Sequence, residues 1–375
     1  MTTYLEVHVI QNLPPSNVNR DDTGAPKAAI YGGVNRLRVS SQAWKRAARE
    51  SFGADIDEAQ RSTRTKRIVR LLAGRIQARR EMDEDRAGQL AVDALTAAGV
   101  TVTPLKGKKE AKPSIADAEA DALFFISNQQ LENLAELAVA SGDDAIDKKA
   151  AKAAIDKDHG VEIALFGRMV ASTPDLNVDA AVQVAHAIST HAIDPQGDFY
   201  TAVDDAKGRD EDSGAGMMGT IEFASATLYR YAAVGLELLA ENLGDVPLTG
   251  EAAAAFVKGF ALSLPSGKKN SFAADTLPSA IVITLRDTRP LSLVGAFERP
   301  VRATNDGFVA ASVDRMAQHA AQVQESFGLE PVRQWVVGSA DLQEALAGFG
   351  DLRPLPVVLD EVREAVTACV QQEKQ

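Results

Sequence analysis

Residues 17–52 read NVNRDDTGAPKAAIYGGVNRLRVSSQAWKRAARESF, and the rest of the chain can be organised around them. Arg36-Leu37-Arg38-Val39 alternates polar and apolar side chains, the two-residue period of a strand. Ser40 or Ser41 then offers a hydroxyl to the free N–H groups of a helix start. In that helix Trp44, Ala47, Ala48 and Phe52 fall on one face. Lys45 and Arg49, four residues apart, project together from the other. Gly32-Gly33 marks a turn ahead of the strand, and Arg20, Lys27, Arg36, Arg38 and Arg46 complete a dense basic cluster. The unpaired N–H groups of a first helical turn attract anions, and Ser40, Ser41 and Gln42 add hydrogen-bonding groups beside them. The stretch predicts a surface that holds a nucleic-acid backbone.

The protein as a whole is acidic. Its 375 residues carry 40 Lys+Arg against 52 Asp+Glu, a formal net charge of −12. The distribution is uneven: residues 1–80 hold 15 Lys+Arg and 7 Asp+Glu, a net of +8, and the remainder nets −20. Total charge governs solubility, whereas a local patch governs where a polyanion docks. A hydrophobic fraction of 45% fits a folded chain with a large core. No apolar run is long enough to span a bilayer, and Glu6 and His8 interrupt the N-terminal apolar stretch, so neither a membrane partner nor a secretory signal is expected. The single cysteine, Cys369, excludes an internal disulfide and a cysteine-rich metal site and reads as a small apolar residue of a C-terminal helix. These features predict a cytoplasmic protein.

Upstream, residues 4–10 alternate Leu5, Val7 and Val9 against Tyr4, Glu6 and His8, which predicts a strand with one buried face. The loop from Gln11 to Lys27 is rich in Pro, Asn, Asp and Gly, with Arg20 at its centre. Downstream, residues 60–80 predict a basic amphipathic helix that includes Arg64 and Arg67; its charge is as readily a solvated face as a binding one. Residues 81–160 are Ala-rich and charged and predict a helical insertion outside the core. An apolar, strand-like run, VEIALF, precedes Gly167-Arg168-Met169, and Val178–Thr190 predicts a helix with Ala181, Val184, Ala185 and Ile188 inward. Met169 is more simply core packing; the sharper alternative has it wedge between bases while Arg168 holds a phosphate. Residues 194–223 bracket a polar, Gly-rich tip with Phe199, Tyr200 and Val203 before it and Met217, Met218 and Ile221 after it, which predicts a long hairpin standing off the body. Strands at 228–231 and 280–285, a helix at 249–263, and mainly helix from 307 to a charged helix at 358–373 complete the chain.

No catalytic constellation emerges. The five histidines show no metal-ligand spacing, and His186 and His191 read as satisfied core or surface residues. There is no nucleophile elbow, Walker-type loop or dinucleotide fingerprint, so no cofactor or metal is expected. Asp21-Asp22 beside Arg20 could hold a metal near an RNA backbone, but adjacent acids in a loop are more often turn formers.

Several segments resemble one family, and they run colinearly: NRDD at 19–22, AIYGGVNRLRVSSQAWKRAAR at 29–49, VEIALFGRM at 161–169, AHAISTH at 185–191, DFYTAVDD at 198–205, GTIEFASATLYRYAAV at 219–234 and GAFERPV at 295–301. Together they are similar to the CasC family, the CRISPR-RNA-binding backbone subunit of the type I-E Cascade complex. The resemblance implies an α+β fold: an RRM-like (ferredoxin-like) palm from 1–55, 161–193 and 224–375, a helical finger insertion at 56–160 and a β-hairpin thumb at 194–223. It implies a non-enzymatic role in antiviral defence. Copies would stack in a helical filament along CRISPR RNA, beside subunits of the CasA, CasB, CasD and CasE families, and present bases to target DNA. Arg20, Lys27, Ser40, Gln42, Lys45, Arg46 and Arg49 match the family's backbone contacts, with Ser41, Arg64 and Arg67 as added candidates. Arg168 and Met169 match its inserting finger element. Phe199, Thr201, Val203 and Met218, with Tyr200 beside them, match the thumb that interrupts pairing. The alternative from another class is a metal-dependent endoribonuclease acting on target RNA through Asp21 or Asp22.

Overall fold

The computed structural model describes residues 2–104, 114–170, 173–202 and 217–373. The chain divides into two compact units. The first comprises residues 1–52, 183–233 and 256–362, the second residues 53–182, 234–255 and 363–375.

The first unit is built on a largely antiparallel sheet. Its order is Arg333–Gly338, Ala280–Arg286, β1 (Tyr4–Ser16), Met217–Gly235, Ala187–Ser189, β3 (Val34–Val39) and β2 (Ala28–Tyr31). β1 is longer than its alternation predicts, because pairing carries it through Pro14-Pro15 to Ser16. Leu5, Val7 and Val9 are buried as expected, but the opposite face is covered too. Glu6 there accepts from the Arg286 guanidinium at 3.3 Å, and the Nδ1 of His8 lies 2.9 Å from the Tyr229 hydroxyl. Polar side chains on that face are tolerated because each finds a partner. β2 and β3 form a hairpin, with Tyr31 opposite Val34 and Gly32-Gly33 between them. Only glycine fits at Gly32: its φ is +59°, and an added Cβ would meet the carbonyl of Glu298 at 1.6 Å.

α1 (Ser41–Glu50) follows β3 directly. Ser40 is the cap, its hydroxyl accepting from Ala43 N–H, while Trp44, Ala48 and Phe52 are buried beneath. The buried Arg230 guanidinium stacks 3.7 Å over the Trp44 ring and donates to Gln11 Oε1 at 2.6 Å. Residues 182–189 are not the predicted helix but two short strands, Val182–Val184 and Ala187–Ser189. Their Ala/Val pattern fits either period, and pairing of Ile188 with Arg38 and Tyr229 decides for strand. Arg333–Gly338, within a stretch expected to be mainly helical, is the strand at one end of the sheet order.

The second unit has a hydrophobic centre of its own. α2 (Ile68–Arg79), α3 (Glu84–Ala97) and α4 (Asn128–Ser141) bury Ile68, Leu72, Ile76, Leu90, Leu95, Leu131 and Leu134 around many alanines. Alanine lets these helices approach closely, so an Ala-rich sequence packs here instead of lying exposed. The helix predicted over 60–80 begins only at Ile68; Ser62–Thr65 is a strand paired with Phe124–Ser127. The apolar run at 161–166 is a short helix and not a strand, a case that periodicity alone cannot decide. Among the described residues, no helix is long and apolar enough to cross a membrane.

Candidate nucleic-acid interface

In the first unit, an open groove of about 690 Å³ lies between the loop after β1, α1 and residues 264–267. Arg20, Asp21, Asp22, Ser40, Gln42 and Arg46 are among its walls; Lys27, Ser41, Lys45 and Arg49 are not. The loop is braced. Asn19 Oδ1 accepts from Ser40 N–H at 2.8 Å, and the Asn17 amide donates to the carbonyls of Gly24 and Glu222, each at 2.9 Å. The first bond holds the loop against the start of α1, and the bond to Glu222 ties its base to the strand Met217–Gly235.

The cations of this region differ in what they touch. Arg20 is exposed, and neither Arg20, Lys27, Arg38 nor Lys45 pairs with a carboxylate among the described residues. Burial of the Lys45 stem pulls its ammonium below the usual lysine range, a cost that an arriving anion would offset. Arg46 donates to Glu50 at 2.7 Å, an exposed pair that a phosphate can displace at little cost. The Ser40 hydroxyl accepts from Ala43 N–H at 3.4 Å and so caps the helix, a role that engages a lone pair and not its O–H.

Asp21 is a turn former. Its Oδ1 accepts from the Thr23 hydroxyl at 2.7 Å and from the Thr23 and Ala25 N–H groups at 2.9 and 3.0 Å. Those bonds, led by the Thr23 hydroxyl, hold its carboxyl below the usual range. Among the described residues no group of three or more His, Cys, Asp or Glu is placed to share a metal.

His186, read from sequence as an ordinary satisfied histidine, turns out to stand at the start of α1. Its Nδ1 accepts from Ser41 N–H at 3.2 Å and faces Arg38 Nη1 at 3.3 Å. Its signal was the AHAISTH segment, but only the pairing of Val39 with Ala187 brings it to the helix end.

The two arms expected around 194–223 pair antiparallel, Gln196–Ala202 against the start of Met217–Gly235. Thr201 faces Met218 and Phe199 faces Thr220, so these four share one face. Phe199 and Met218 are each 65% exposed on it. Tyr200 belongs to the other face, its ring lying over Gly219, and this separates it from the expected set. Val203 falls outside the described residues.

In the second unit, Met169 is 84% exposed, so the core-packing account of it fails. Arg168 is the reverse. It is buried, and its guanidinium donates to the carbonyls of Leu176, Phe125 and Ile155 and to Gln130 Oε1, at 2.8 to 3.4 Å. Burial lowers its pKa to about 10. With every arm of the fork engaged, Arg168 cannot hold a phosphate, and that expectation is corrected. It fastens a loop closed by reciprocal bonds between Arg168 and Val178, at 2.9 and 2.8 Å, and that loop presents Met169. Arg64 is exposed on its strand, whereas Arg67 lies 3.6 Å from Glu119.

A family of CT1975-like proteins matches residues 5–359. The chain belongs to that family. No curated protein matches the sequence. Among solved structures, this family member is similar to a chain of a "CRISPR RNA-guided surveillance complex, pre-nicking", at 32% identity and a TM-score of 0.81, covering 97% of this chain and 100% of that one. A chain of a second "CRISPR RNA-guided surveillance complex" is similar at 27% identity and a TM-score of 0.72, covering 96% and 99%.

Proposed function

We propose that the chain is a non-catalytic backbone subunit of a type I-E CRISPR Cascade complex. In this role it polymerises along CRISPR RNA, grips the phosphates and leaves base edges free to pair with target DNA. The observation that carries the proposal is the set of cations around α1, Arg20, Lys27 and Lys45, which have no carboxylate partner among the described residues. A guide must be held by its backbone, because its bases are needed for the target. Cations without base-reading partners suit that task. Similarity to surveillance-complex chains over nearly the full length supports the same reading.

The exposed Met169 and the Phe199–Met218 face are the parts that kink the strand, since apolar side chains insert between stacked bases. The RRM-like palm, the thumb role of the hairpin, the head-to-tail stacking and the CasA, CasB, CasD and CasE partners belong to the same proposal. The internal bonds of Asp21 support turn formation over a catalytic role. Fluorescence anisotropy with a labelled single-stranded RNA tests the proposal. Lys45→Glu with Arg49→Glu is expected to weaken binding about a hundredfold and to flatten its salt dependence. Unchanged binding and salt slope would remove the grip from this surface.

A further inference from the structure

We propose that His186, Lys27 and Arg38 form a second anion subsite of the first unit, one that takes a phosphate group of single-stranded RNA. The inference rests on the RNA-binding reading above and adds to Lys27 and Arg38 a residue outside the basic stretch, His186.

The argument begins with the tautomer. Ser41 N–H is a donor, so the Nδ1 that faces it at 3.2 Å must be an acceptor. Arg38 Nη1, 3.3 Å away, is also a donor and imposes the same choice. The proton of the neutral ring therefore sits on Nε2. The ring is exposed, so it carries a free N–H donor at the surface while its other nitrogen is fixed. Burial lowers its pKa, and the charged groups that face the ring, Arg38 and Lys27, both cationic, lower it further. The ring is thus held neutral, as a donor of one defined geometry.

The two cations are held in place by the backbone. Arg38 N–H donates to the Lys27 carbonyl at 2.8 Å, which sets the two residues side by side across the hairpin edge. Among the described residues neither pairs with a carboxylate. Two like charges without an acid repel one another until an anion arrives, and a phosphate group drawn to them can also accept from the fixed N–H donor beside them. His186 also fills the Ser41 N–H, one of the donors that a helix start would otherwise offer. The grip predicted at the helix end is in this way shifted onto side chains beside it.

The alternative is that His186 only caps α1. Two substitutions separate these roles. An asparagine amide overlays Nδ1 and can still accept from Ser41 N–H, but it does not reach Nε2. A glutamine amide reaches Nε2 and can donate there. We would measure binding of a labelled oligouridine by anisotropy, and thermal unfolding, for the wild type, His186→Asn and His186→Gln. A subsite predicts that His186→Asn binds about tenfold more weakly at unchanged melting temperature, while His186→Gln stays within about twofold of wild type. Arg38→Gln, which leaves the cap alone, is expected to lower the salt slope by about 0.7. Wild-type affinity in His186→Asn, or equal losses in both histidine variants, overturns the subsite alone. A wild-type chain that fails to bind the oligonucleotide overturns the RNA-binding reading and the subsite together.

Discussion

Around α1, Arg20, Lys27, Arg38 and Lys45 stand without a carboxylate among the described residues. Along α2, Arg67, Arg70, Arg75 and Arg79 are each matched: Arg67 by Glu119, Arg70 by Asp117, and Arg75 and Arg79 both by Glu132. In sequence the two stretches look alike, each a run of cations with an apolar stripe. The difference is that α2 borrows its acids from segments some 50 residues further on, which no local window contains. A paired cation on a half-exposed face secures one element to another; an unpaired one is available to a ligand. Charge density located the basic half of the chain, and pairing tells which part of it is a candidate interface.

Arg168 is a buried cation held by carbonyls and an amide oxygen and not by an acid. Arg168→Ala would leave several buried carbonyls without donors, and the expected cost is about 3 kcal/mol in chemical denaturation. A loss well under 1 kcal/mol would mean that the clamp is dispensable and that the guanidinium is held for another purpose. On the α1 side, Glu50→Gln releases Arg46 from its ion pair and removes a negative charge near the groove. RNA affinity should rise about threefold, read by anisotropy; a fall would show that the pair orients Arg46 productively. The smallest effect is expected at Arg70→Ala, which breaks an exposed pair with Asp117. Stability should drop by about 0.5 kcal/mol and RNA affinity should stay within about twofold. A larger loss of affinity there would erase the contrast between the two regions.

How much of this was legible beforehand follows from the range of each interaction. β1, α1, the helix Val246–Leu262 and the strand Ala280–Arg286 carry strong local patterns and were expected close to their places. Val161–Phe166 and residues 182–189 were assigned the wrong element, because short apolar or Ala/Val runs have no decisive period. That the helical insertion closes around a centre of its own is not legible locally, because alanine looks weakly hydrophobic until helices pack around it. In the candidate site the cations were legible and their partners were not. Nothing local to Arg168 announces four acceptors, and nothing local to His186 announces the N-terminus of α1.

The contrast itself can be measured by the dependence of RNA binding on salt, since each phosphate contact to a single strand contributes a slope of about 0.7. Wild type, Lys27→Gln with Lys45→Gln, and Arg75→Gln with Arg79→Gln should be titrated against the same oligouridine at several salt concentrations. The expected result is a slope reduced by about 1.4 in the first pair and unchanged in the second. Equal slopes in all three proteins, or a reduction confined to the α2 pair, would contradict the assignment of the RNA grip to the unpaired cations around α1.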